Sequence, residues 1–386
     1  MNQNEYLKEL KRCLSSLDRA ETDRIVEYYS ELISDKIQFG VSEQEVITQL
    51  GTPHQLADRI IAESKEYEDK ANDNKSERKY VKKFYTISES EASSISVYTD
   101  MMKVKVCVRE DNSDEIRITY FENNKHKPSI TNENGIVTLN DKTEFSASNI
   151  FSFLIGFEGI KRGRLETVIE LPKNNNTLKI SIETNNAKIT ANNLTVDKLF
   201  LKTSNASIDV SGNFVSEVYC KTSNSKINSE NLSADSITFI TSNGMCNADT
   251  VISKSLSIKT SNSSISIKNI NSDIVSLKTS NSSINLGDTI AKTSFYAKTS
   301  NGSINTKGIV SDKIELSSCN GGISSTIVGR DKDFAIQSKT SNSNNNLLGR
   351  GDSSTSKTLS VYTSNGKIDI SFDDEYSIPE ISQHSF

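Results

Sequence analysis

Residues 256–265, Leu-Ser-Ile-Lys-Thr-Ser-Asn-Ser-Ser-Ile, return 19 positions later as residues 275–284, Val-Ser-Leu-Lys-Thr-Ser-Asn-Ser-Ser-Ile. The asparagine that closes a Thr-Ser-Asn or similar triplet recurs at Asn186, Asn205, Asn224, Asn243, Asn262, Asn281, Asn301, Asn320, Asn342 and Asn365. The spacings are 19, 19, 19, 19, 19, 20, 19, 22 and 23. Ten copies at a near-constant period identify a chain of stacked supersecondary units.

The positions around the asparagine define the unit. Six residues before it every copy is apolar, from Ile180 and Leu199 to Ile336 and Leu359. Four residues before it stand Ile182, Leu201, Cys220 and their equivalents, with Ser338 the polar departure; three residues after it stand Ile189, Ile208, Cys246 and others, with Asn345 the departure. Apolar sites two apart are strand spacing with one face buried. The apolar offsets are even before the asparagine and odd after it, so the chain turns there. Asparagine suits such a corner because it tolerates left-handed angles and bonds nearby backbone groups. Two short strands and two corners per repeat predict a parallel β-solenoid of about ten coils, with like residues ~4.8 Å apart. About four apolar residues per coil would fill so narrow a core. A right-handed path is expected from the chirality of parallel crossovers. The spacings of 22 and 23 predict corner insertions, and Ser338 with Asn345 predicts a weak contact between the ninth and tenth coils.

Ahead of the repeats, alternation at Val104, Val106 and Val108, at Ile116 and Ile118, and in Ile136–Leu139 and Val168–Pro172 predicts further strands. Residues 84–375, with an irregular start over 84–172 and regular repeats over 173–375, resemble the putative-adhesin family of repeated β-strands. The resemblance rests on Val-Ile-Glu-Leu-Pro at 168–172 and on the recurrent Lys-Thr-Ser-Asn-x-x-Ile. Glycine follows the asparagine at Gly244, Gly302, Gly321 and Gly366, as is frequent in that family. Residues 376–386 are expected to form an end cap or a loose tail.

Residues 1–65 carry a helical period instead: Tyr6, Leu7, Leu10, Leu14 and Leu17, then Ile25, Tyr28, Tyr29, Leu32 and Ile33. Asp18 with Glu21 predicts a cap, and Gly40 a helix stop. Ser42-Glu43-Gln44-Glu45 reads as a capping box and Thr52-Pro53 as a second helix start. A small bundle of short helices follows. This stretch, above all Leu50-Gly51-Thr52-Pro53 after the Ser-Glu box, resembles the HAAS signalling domain. That resemblance implies a protein partner of the PadR-type regulator class, since in that family the domain is encoded beside such regulators. Residues 66–83 read as a charged helix tail and linker.

The whole is therefore expected to be an α+β multidomain chain. Its 386 residues hold 45 Lys+Arg against 50 Asp+Glu, a net charge of -5, which argues against nucleic acid or an anionic membrane as the main partner. Five scattered cysteines without a Cys-x-x-Cys pair suit neither a disulfide framework nor a zinc site, and fit a reducing compartment. The longest apolar-leaning stretch, Ile150–Ile160, is too short to span a bilayer. A cytoplasmic location is expected.

Little in the sequence points to catalysis. His54, His126 and His384 read as solvated surface histidines, and no hydrolase, nucleotide or calcium motif is present. Cys220 and Cys246 fall on apolar slots and read as small buried side chains. Arg350-Gly351-Asp352 reads as a chance match to an adhesion tripeptide. Lys202, Lys221, Lys259, Lys278 and Lys298 recur three residues before the asparagine, as an outward stripe that either discourages edge pairing or meets an acidic partner. No catalytic residue, cofactor or metal is expected. The sequence thus predicts a non-enzymatic scaffold, a helical docking domain on a rigid solenoid, linked to PadR-type regulation or envelope-stress signalling. The alternatives are a surface adhesin and a carbohydrate-binding or carbohydrate-active solenoid, the last needing carboxylates gathered on one face.

Overall fold

Ile265 lies between Cys246 on one coil and Ile284 on the next, and each neighbouring residue is stacked in the same way. This parallel, in-register pairing is the organising fact of the computed structural model, which describes residues 2–19, 22, 23, 25, 26, 29, 30, 33, 42–62, 80–111, 113–124, 126–142, 165–173 and 175–377. The strands of the regular part are β8 (Asn175–Thr184), β9 (Ile189–Lys202), β10 (Ile208–Lys221), β11 (Ile227–Ile240), β12 (Cys246–Lys259), β13 (Ile265–Lys278), β14 (Ile284–Leu286), β15 (Thr289–Lys298), β16 (Ile304–Ser317) and β17 (Ile323–Val328). They form a β-solenoid of about 10 turns.

Each coil has three short legs, not the two expected. In one coil Ile265 and Ile267, Ile270 and Ser272, then Val275, Leu277 and Thr279 are buried, in three inward runs. The gap from 267 to 270, and again from 272 to 275, is three residues, so parity shifts at two corners besides the asparagine corner. The first extra corner lies seven residues after the asparagine. There Asn193, Gly212, Asn231, Thr250, Asn269 and Gly308 all have positive φ, between 51° and 124°. None of the ten repeat asparagines has positive φ, so the left-handed role belongs to this second set. The core is correspondingly thicker: the coil beginning at Ile189 buries Ile189, Ala191, Leu194, Val196, Leu199 and Leu201. The one 20-residue spacing is absorbed as a bulge between Ala291 and Ser294.

Both ends depart from sequence order. At the C-terminal end β16 pairs not with β18 (Phe334–Lys339) but with β19 (Lys357–Tyr362), while β17 pairs with β20 (Ile368–Asp373). β18 then stacks on the far side of β19. The tenth coil therefore sits between the eighth and the ninth, which corrects the reading of the long spacings as corner insertions. Ser338 and Asn345 are polar because they lie on the outermost layer; they bond each other at 3.0 Å. The expected weak contact between coils nine and ten is in fact a six-residue parallel ladder.

The other end repeats the device. β2 (Ser94–Thr99) and β3 (Lys103–Val108) pair in parallel with β8 and β9, and β6 (Ile136–Asp141) and β7 (Glu166–Leu171) stack outside them. β1 (Val81–Ser88), β4 (Glu115–Glu122) and β5 (Ser129–Glu133) join by antiparallel pairing, ending the parallel stack. The linker expected over 66–83 thus overlaps a strand at Val81–Lys83; residues 63–79 lie outside the described residues, as do Ile150–Ile160. Of the expected tail, residues 378–386 including His384 also lie outside. Tyr376 is no loose end: its hydroxyl donates to Asp288, its ring packs on Lys307, and it fills the space beside Gly308.

The helical unit is closed by its own core of Tyr6, Leu10, Leu14, Ile33, Val46, Leu56 and Ile60. Asn2 and Glu5 form a capping box on the helix Gln3–Cys13. The Ser42 hydroxyl accepts the Glu45 amide on the helix Glu43–Leu50. Thr52 and Gln55 cap the helical residues 53–62 reciprocally, at 3.1 and 3.2 Å. Tyr28, Leu32, Glu21 and Gly40 lie outside the described residues. Among the described residues, no helix is long and apolar enough to cross a membrane.

The glycines after the asparagines give a test of coil packing. A Cβ at Gly302 would stand 1.9 Å from the Ser282 carbonyl oxygen of the preceding coil. Gly302→Ala is expected to cost about 1–3 kcal/mol, read as a fall in the urea midpoint; an unchanged midpoint would show that the corner re-forms freely.

Candidate functional site

The asparagine corners build a continuous surface feature. Asn205 Nδ2 donates to Asn186 Oδ1 at 2.6 Å, Asn224 to Asn205, Asn243 to Asn224 and Asn262 to Asn243, each at 2.7 Å. The file continues through Asn281, Asn301 and Asn320, then passes to Asn365 and ends on Asn342, tracing the swapped coil order. An amide can donate and accept at once, so identical residues satisfy one another indefinitely along a stack. Behind it runs a buried hydroxyl file. The Oγ1 atoms of Thr222, Thr241, Thr260, Thr279 and Thr299 each donate to a carbonyl of the preceding coil, at 2.9 to 3.2 Å. The triplet is therefore structural: threonine points in, asparagine runs along the edge.

The lysine stripe occupies the outer face of the third leg. Lys202 stacks on Lys221, Ile240 interrupts, and Lys259, Lys278 and Lys298 follow in register. All five are exposed. Lys202 meets Glu183 at 3.4 Å, and Lys278 lies 5.0 Å over the Tyr296 ring. Phe200 and Tyr219 share this face, their ring centroids 6.2 Å apart.

The first leg carries the carboxylates. A polar groove there is lined by Asn192, Asn193, Asp209, Asn228, Glu230 and Asp249. Asp209 is paired with Lys188 at 2.5 Å and accepts from Asn228 at 2.7 Å. Asp249 is paired with Lys268 at 2.9 Å and accepts from Asn269 at 2.8 Å. Burial works to raise both carboxyls, but these partners outweigh it and hold both below the usual range. A general acid needs the reverse shift. This groove had no distinctive sequence signal; it arises because Asp209, Glu230 and Asp249 fall near one corner in successive coils.

Other candidates fall elsewhere. His126 is not a solvated histidine: its Nε2 bonds Asp141, which is itself 1% exposed and accepts the Thr99 hydroxyl at 2.9 Å. Asp141 lies beside Thr99 in the ladder and so closes the hydroxyl file at its outer end. Cys220 and Cys246 are buried in the core, and burial pushes the Cys246 thiol up to about 12. In the helical unit Cys13 Sγ lies 3.3 Å from His54 Nδ1, and His54 Nε2 lies 3.4 Å from Glu9. These three could offer ligand atoms to a metal, a grouping the sequence reading missed because His54 lies 41 residues beyond Cys13. Yet Arg12 grips Glu9 through three hydrogen bonds, at 2.6 to 3.2 Å, which opposes a cation there. Arg350 of the adhesion-like tripeptide is tied to Asp331 at 3.0 Å and lies over Phe372.

Two family models match the sequence: HAAS over residues 5–59 and Toastrack DUF4097 over residues 92–371. No match is found among curated proteins. Three crystal structures are similar. A putative cell adhesion protein from Clostridium sporogenes is 11% identical with a TM-score of 0.23, over 76% of this chain and 100% of that one. A putative adhesin from Bacteroides fragilis is 10% identical with a TM-score of 0.31, over 76% and 97%. One from Parabacteroides merdae is 13% identical with a TM-score of 0.29, over 76% and 96%. Likeness at these TM-scores carries no functional weight.

The amide file is testable by charge. Asn262→Ala is expected to cost about 1 kcal/mol for the broken bonds. Asn262→Asp still accepts from Asn281 but, when ionised, turns an acceptor toward Asn243. Its folded-state carboxyl should be raised, so its penalty relative to wild type should shrink as pH falls from 7 to 3 in parallel melting curves. Asp209 and Asp249 have the opposite sign. Their depressed pKa values mean their stabilisation is present above the unfolded carboxylate range and is lost as pH falls below that range through the lower folded-state values.

Proposed function

The chain belongs to the Toastrack DUF4097 family, and on that premise we propose that it is a non-enzymatic scaffold, with its HAAS domain as the docking module and its solenoid as a rigid platform. The observation that carries this reading is the state of the groove carboxylates. Asp209 and Asp249 are each neutralised by a lysine and held ionised, so neither is poised to give a proton to a leaving group. The surface columns serve register and rigidity, as a platform requires.

For the helical module, the reading is a protein–protein contact, with a PadR-type regulator or an envelope-stress component as the partner and the cytoplasm as the compartment. Its exposed side chains ring a small closed core, which suits docking to another folded surface. The full chain and a chain lacking residues 1–62 would be compared as baits in cell extract. Capture of a PadR-type regulator by the full chain, lost on truncation, is expected. Capture that survives truncation, or enrichment of no specific protein, would remove the docking reading.

A further inference from the structure

The lysine file departs from the pattern that the other lysines of the same coils follow. Like charges directly opposite one another destabilise a sheet, and the lysines elsewhere on the same coils avoid this. Lys254 pairs with Asp235 at 2.8 Å, Lys268 with Asp249 at 2.9 Å and Lys292 with Asp273 at 3.2 Å, each a carboxylate of the preceding coil. On those same coils Lys259, Lys278 and Lys298 stand directly over one another. Among the described residues Lys259 and Lys298 make no salt bridge. Three cations thus lie in a line about 10 Å long, at the ~4.8 Å spacing of the strands.

The residues that flank that line on its own coils are uncharged and rich in hydroxyls. Ser257, Ser276 and Tyr296 flank the lysines on one side, and the triplet residues Ser261, Ser280 and Ser300 on the other. Carboxylates bound the file at both ends: Glu183 pairs in register with Lys202, and Glu315 with Tyr296.

We propose that this face binds an acidic polysaccharide, with its anionic groups on Lys259, Lys278 and Lys298, its hydroxyls on the serine rows and a sugar face on Tyr296. The charge spacing calls for a linear polyanion. The hydroxyl rows and the half-buried Tyr296 ring select a sugar polymer over nucleic acid or polyphosphate, whose affinity comes chiefly from phosphate neutralisation along a longer basic track. The proposal rests on the solenoid being a platform and does not depend on what the helical module docks, so the two can fail separately.

The test uses the full chain and polygalacturonate, with dextran, polyphosphate and single-stranded DNA as comparators, followed by calorimetry. Binding of polygalacturonate and not dextran is expected, weakening steeply with added salt. The Lys259→Gln/Lys278→Gln/Lys298→Gln variant should bind about tenfold more weakly or worse and melt no lower than wild type. The Lys254→Gln/Lys268→Gln/Lys292→Gln variant, with the same change in net charge, should stay within about twofold of wild-type binding. Absence of polygalacturonate binding, insensitivity of that binding to salt, equal losses in the two variants, or tighter binding of polyphosphate or DNA would each overturn the proposal.

Discussion

Parallel stacking in register is the constraint on which everything else in the solenoid depends. Once residue i must lie over residue i+19, each column of the surface has to consist of side chains that tolerate their own kind. Isoleucine and leucine do so by packing, threonine by donating to a carbonyl of the preceding coil, and asparagine by donating and accepting together. Ionised groups do so only at a cost. That is why Lys268 is set against Asp249 and Lys292 against Asp273, and why a file of lysines is informative where a single exposed lysine would not be.

The same constraint makes the ends difficult. Each coil covers only its neighbours, so a stack is held by nearest-neighbour contacts and its last layer exposes an edge. Both ends here answer by inserting a coil out of order. Because β19 lies between β16 and β18, the outermost coil is held from inside by a later stretch of chain, and fraying it from the terminus means extracting an interior layer. At the other end the 94–108 coil is enclosed by β6 and β7 in the same way.

The regular coils were legible because their period, their apolar slots and their triplet are spelled in residue identity. The third leg was not, because its corner is spelled in backbone conformation: Asn193, Gly212, Thr250 and Gly308 share positive φ and little else. The swapped ends left a trace that admits two meanings. Ser338 and Asn345 are polar on inward slots, which fits a weak interface or an outer layer alike, and only the pairing of Leu316 with Val361 decides between them. His126 could not be placed from sequence, since nothing local ties it to Asp141.

Acid–base catalysis by a pair of carboxyls needs them in unlike environments, one raised and one lowered in pKa, and a strict repeat makes environments alike. A carboxyl pair of that kind on this fold would therefore sit where the repeat breaks. The 20-residue coil is one such break, and it brings Gly287 and Asp288 to the surface in place of the usual corner. There Tyr376 folds back onto Asp288, and that hydrogen bond, aided by burial, lifts the phenol to about 12. The irregularity is spent on anchoring the end of the solenoid domain, while the lysine file lies across coils whose register is unbroken on that leg. The binding proposed for this surface thus rests on repetition, as charge and hydroxyls presented at regular intervals, which matches a ligand with its own regular repeat.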